Sequence, residues 1–174
     1  MKSFLSTLRG RLLRRPRLTC SHEVWNAGVK ELARRTQGNR RESGAFLLGI
    51  VNLDGTKHIR DFVFYDDIDP RSLDSGIVHF HGICLWRLWD ICREKGYGVV
   101  ADVHVHPGGY GQSSSDQDNP VMPRAGHYAI ILPDFAKRGT SPGQIGQYEY
   151  LGNAKWMDHT RRGSRFFSLT RDAR

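Results

Sequence analysis

His104 and His106, separated by one valine and followed at once by Pro107, constrain the local fold more than any other stretch of this chain. On a β-strand, residues i and i+2 point to the same face with Cα atoms about 6.5–7 Å apart, so two rings can converge on one ion at roughly 2.0–2.1 Å each. Pro107 has no N–H to give a ladder and ends such a strand. The glycine-rich run that follows, Gly108 to Gly111, can swing Asp116 back as a third ligand. Three protein ligands leave a fourth position open to water, which distinguishes a catalytic zinc from a structural one. A plainer account exists for each part. H-x-H occurs on ordinary strands, and Ser113-x-x-Asp116 also spells a helix capping box. Their order within one short turn favours the metal site. A second pair, His79-Phe-His81, is followed by Gly82 and an apolar segment with no nearby S-x-x-D, and is read as ordinary strand histidines.

Periodicity organises the remainder. Ser21 can cap a helix running to about Thr36, with Val24, Trp25, Gly28 and Leu32 on one face and Gly38 ending it. Strands at Ala45 to Val51 and Ile59 to Tyr65 flank Asp54-Gly55, a hairpin signal. An acidic connection from Asp66 to Asp74 leads to a short strand near Ile77 to Phe80. A core helix follows from Ile83 to Glu94, with Trp86 and Trp89 assigned to the core. Strands then cover Val99 to His106, His127 to Leu132 and Gln147 to Leu151, and Asn119-Pro120 and Met122-Pro123 keep Asp116 in a short turn. The pattern predicts a single α/β domain whose mixed β-sheet is flanked by a helix on each side.

H-x-H-P-x(5)-S-x-x-D, preceded about sixty residues earlier by Glu42-Ser-Gly44-Ala-Phe-Leu-Leu-Gly49, resembles the JAMM (MPN+, JAB domain) metalloproteases. The similarity spans roughly residues 21 to 157 and includes Ala129-Ile-Ile-Leu-Pro133-Asp-Phe-Ala136, as in the bacterial branch of that family. The resemblance implies a JAB/MPN-like, cytidine-deaminase-like fold. It makes His104, His106 and Asp116 the Zn2+ ligands, Glu42 the general base for the water at the metal, and Ser113 a hydrogen-bond donor to the oxyanion. Read by itself, Glu42 is an exposed charge beside Arg40 and Arg41, and only the family pattern assigns it a role. Asp102, one strand step before His104, is either a partner for a ligand imidazole or a solvent-facing strand residue.

The implied reaction is hydrolysis after the C-terminus of a ubiquitin-like protein, either deconjugation or precursor processing. Partners would be that protein, its conjugates, and the associated activating and conjugating enzymes. Asp66, Asp67, Asp69 and Asp74 offer an acidic stretch that an arginine-bearing tail would meet, or a merely solvated loop. Three other readings stay open: a JAMM hydrolase acting on a sulfur-carrier protein adduct, a RadC-like nucleic-acid-associated protein, and a non-catalytic scaffold.

Charge divides the 174 residues into three parts. Of the formal net charge of +8, residues 1–18 hold six cations and no acid. They read as a basic arm, disordered or docked on a partner, able to meet anionic membrane or nucleic acid and resembling in composition an organelle leader. Residues 19–160 read as the catalytic domain and 161–174 as a basic tail. No run of eighteen apolar residues occurs, and three cysteines in no metal spacing predict packed thiols in a reducing, cytoplasmic setting.

Overall fold

The computed structural model describes residues 15–74 and 84–171. Its strands are β1 (Leu18–Ser21), β2 (Gly44–Val51), β3 (Lys57–Phe64), β4 (Gly98–Val105), β5 (Tyr128–Leu132), β6 (Gly146–Gly152), β7 (Lys155–Asp158) and β8 (Phe167–Thr170). Helices are α1 (His22–Arg35), α2 (Tyr65–Ile68), α3 (Leu85–Lys95) and α4 (Ser114–Asp118). The strands form one mixed sheet in the order β7-β6-β5-β4-β2-β3-β1-β8. β4 and β5 run parallel, as β1 does with both β3 and β8, and the other pairings are antiparallel.

Alternation along β2 sets the two layers. Ala45 and Leu47 face the core beneath α1, where Trp25, Val29 and Leu32 are buried, while Phe46 and Leu48 face a second cluster with Leu88 and Cys92 of α3. The predicted helix on each side of the sheet is thus present. Burying a leucine or phenylalanine side chain contributes about 1.5–3 kcal/mol, and this two-sided sheet holds most of them. Ser21 caps α1 through Val24 N at 3.2 Å, and the helix stops at Thr36, where Gln37, Gly38 and Asn39 all take positive φ. The sheet curls around the α1 core. Tyr128 of β5 and Phe166, just before β8, meet edge to face at 4.9 Å, although their strands lie far apart in the sheet order.

Two expectations are corrected here. The domain does not end at residue 160. Phe166 and Phe167 are fully buried, and β8 pairs with β1, so the predicted basic tail supplies an edge strand. Trp86 and Trp89 are 59% and 46% exposed, because α3 turns Leu88 and Cys92 to the sheet instead. His79 and His81, the short strand near residues 77–80 and most of the basic arm lie outside the described residues. Cys20 and Cys92 are buried and Cys84 is half-buried, with no disulfide among the described residues. Among the described residues no helix is long and apolar enough to cross a membrane.

Candidate metal centre

Strand pairing closes the sixty-residue gap between the two halves of the motif. β2 runs antiparallel to β4 with Gly44 opposite His104, and Val105 N donates to Ser43 O at 2.9 Å, so Glu42 is delivered to the end of β4. Ser43 Oγ donates to Leu32 O at 2.7 Å and ties the same turn to α1. Gly44 has to be glycine. A Cβ there would lie 2.2 Å from the Tyr65 ring and 2.9 Å from Val103 O. Beyond β4, His106 N donates to Leu132 O at 2.9 Å, while His106 O and Gly108 O accept from Phe135 N and Asp134 N. The turn at Asp134–Ala136, with three successive residues at positive φ, therefore clamps the chain where it leaves the strand.

His104 and His106 are buried on the face shared with Asp102 and turn their Nε2 atoms toward each other at 3.1 Å. Asp116 completes the group, with Oδ1 3.4 Å from His104 Nε2 and Oδ2 3.2 Å from His106 Nε2. A tetrahedron with metal–ligand bonds of about 2.0–2.1 Å has edges of roughly 3.3–3.4 Å, and the separations of 3.1–3.4 Å between the two nitrogens and the carboxylate oxygens are of that size. Two nitrogens and a carboxylate oxygen also match zinc chemically. Burial resists ionisation of Asp116, but hydrogen bonding to the two histidines outweighs it and holds the carboxyl far below its usual range. For His104, burial is overcome by the carboxylates of Asp102 and Asp116, which raise its pKa to about 10. His104, His106 and Asp116 together could hold a metal ion.

Ser113 and Asp116 form a complete capping box. Ser113 Oγ accepts from Asp116 N at 3.2 Å, and Ser113 N donates to Asp116 Oδ2 at 2.7 Å. The capping reading is realised, and the same carboxylate that closes the box faces the two histidines. Glu42 and Ser113 line one cavity of about 380 Å3 with His104, His106 and Asp116, and Val121, Ala129 and Trp156 give that cavity an apolar side. Burial raises the Glu42 pKa, against the pull of His104 and His106. A carboxyl in this position can exchange protons with a group at the cavity floor.

Three features go beyond the sequence reading, which left Asp102 open between a partner for a ligand imidazole and a solvent-facing residue. Asp102 is not solvent-facing but 3% exposed, and it accepts from Tyr65 Oη at 3.1 Å and bonds His127 Nε2 at 2.6 Å. His127, also buried, carried no sequence signal because it sits outside any motif. Asp66 and Asp67, offered as a landing site for an arginine-bearing tail, are taken internally. Arg35 binds both, and Arg41 reaches Asp66 Oδ2 at 3.0 Å.

No family model matches the chain. Over 109 residues it is 24% identical to a protein named Probable metalloprotease y4jG from Sinorhizobium fredii (strain NBRC 101917 / NGR234), a match covering 60% of this chain and 67% of that protein. Among solved structures, protein DSY2949 from Desulfitobacterium hafniense superposes with a TM-score of 0.57 at 15% identity, over 89% of this chain and 94% of that one. A protein from Salinibacter ruber (strain DSM 13855) gives 0.54 at 15% identity, over 81% and 88%. These two likenesses are of fold.

Proposed function

We propose that this chain is a zinc-dependent peptidase of the JAMM type with a JAB/MPN-like fold, cutting after the C-terminus of a ubiquitin-like protein to release it from a lysine or from a precursor extension. The observation that carries the reading is the convergence of His104 Nε2, His106 Nε2 and the Asp116 carboxylate in one cavity with Glu42. Similarity to a protein named as a metalloprotease supports the hydrolytic part of it.

His104 Nε2, His106 Nε2 and one Asp116 oxygen would hold the metal, which supplies Lewis acidity that acidifies a water and polarises a carbonyl. Glu42, kept off the metal, takes the proton from the attacking water and passes it to the leaving amine. Its raised pKa suits both halves of that transfer. Ser113 Oγ accepts from Asp116 N, which leaves its own hydrogen free to donate to a developing oxyanion in the cavity it lines. β7 is an edge strand and its Trp156 lines the same cavity, so an extended tail adding to that edge is led to the ligands. Binding the body of the modifier then assists the chemistry, and free short peptides turn over slowly.

The test is to incubate the zinc-loaded protein with a conjugate or C-terminal fusion of a ubiquitin-like protein and to locate the cut by intact mass. Cleavage at that C-terminus, abolished by a chelator and by Glu42→Gln with zinc retained, is the expected result. An intact conjugate beside fully zinc-loaded protein overturns the substrate, and turnover of a sulfur-carrier adduct instead would reassign it.

A further inference from the structure

Behind the two histidines lies a buried polar group that the proposed chemistry does not use. His104 Nδ1 is buried without a hydrogen-bond partner, 3.9 Å from Asp102 Oδ2. Asp102 is itself held from two directions, by Tyr65 Oη at 3.1 Å and by His127 Nε2 at 2.6 Å. Tyr65 is fully buried, and its ring occupies the space that a side chain at Gly44 would need. A buried carboxylate is costly unless its oxygens are satisfied, and Tyr65 Oη, His127 Nε2 and the facing His104 Nδ1 are the groups placed to satisfy this one.

We infer that Asp102 is a positioning residue for the metal, with Tyr65 and His127 fixing its carboxylate so that it accepts the Nδ1–H of His104 and leaves the Nε2 lone pair facing the ion. This rests on the zinc reading of His104, His106 and Asp116. The Nε2 side of the ring already points at the other two ligands, and the Nδ1 side points at Asp102. A shift of about 1 Å brings Nδ1 within hydrogen-bond range of Oδ2. Locking the tautomer in this way raises ligand basicity and typically changes metal affinity by about 10–100-fold. β4 places the pair on one face by the same i, i+2 relation that brings His104 and His106 together, so Asp102, His104 and His106 form a single row along the strand.

The experiment is a zinc titration against a competing chelator on the full chain, with Asp102→Asn, Tyr65→Phe and His104→Ala beside the parent. The expected result is zinc binding about 10–100-fold weaker in Asp102→Asn, a smaller loss in Tyr65→Phe, and abolition in His104→Ala. A measurement that needs no variant is nitrogen-15 NMR of histidine-labelled, zinc-loaded parent, in which His104 should carry a solvent-protected proton on Nδ1 with Nε2 unprotonated. A purely structural role for Asp102 would lower thermal stability without moving zinc affinity. Parent-like affinity in Asp102→Asn, or a freely exchanging or absent Nδ1 proton in the parent, overturns the inference while leaving the metal site intact. A parent that takes up no zinc overturns the metal reading itself.

Discussion

Two helices of this protein begin with the same device and serve different ends. Ser21 accepts from Val24 N and Ser113 from Asp116 N, each at 3.2 Å. After Ser21 come fourteen helical residues, four of them buried against the sheet; after Ser113 come five, none of them buried. The residue three places on makes the difference. Val24 packs toward the core, whereas the Asp116 carboxylate turns back to Ser113 N and also faces His104 and His106. A cap followed by an apolar face starts a helix that stabilises the fold. A cap followed by a carboxylate and a stop presents that carboxylate to the two histidines, on a helix only long enough to hold it.

The sharpest way to break this comparison is Asp116→Ala. Zinc should be near stoichiometric in the parent by elemental analysis and largely lost in the variant, and equal metal in both would make α4 another ordinary capped turn. Next in size is Ser113→Ala, which should reduce turnover on the order of a hundredfold with substrate binding little changed, as steady-state kinetics would show. Ser21→Ala is the matched control. It should cost about 1 kcal/mol of stability in denaturant titration and leave zinc content and turnover unchanged. The smallest effect concerns the far end of α1. Hydrogen bonding to Arg34, opposed by burial and reinforced by Arg35, lowers the Glu31 pKa from 4.5 to about 2. A depressed carboxylate stabilises the fold above its unfolded pKa and loses that contribution as pH falls through the folded one. Glu31→Gln should therefore lower the melting temperature at pH 7, and the difference from the parent should shrink between about pH 4.5 and 2.

What was legible from the chain follows spatial range. The His104-His106 pair, the hairpin about Asp54-Gly55 and the capped start of α1 each depend on residues within a few positions of one another, and each stands in the structure as expected. β1 and β8 were not read. Each has four residues and is held by parallel pairing with a partner far away in sequence, which leaves no alternation long enough to register. Trp86 and Trp89 misled because size and apolarity speak for burial, while α3 has only one face to give to the sheet, and that face carries Leu88 and Cys92.

Spacing along the chain by itself determined that two imidazoles share a strand face and that Asp116 closes a cap, because period-two strands and the S-x-x-D turn set those relations within a few bonds. Nothing in the spacing could bring Glu42 beside them; the antiparallel register of β2 on β4 did that. Sheet order and packing likewise decided that Asp66 and Asp67 are spent on Arg35 and Arg41 and that Asp102 is shut in with Tyr65 and His127. The reason is physical. Whether a charged side chain meets water, a partner or a metal depends on which distant strands lie beside it, and that is settled only when the whole sheet closes.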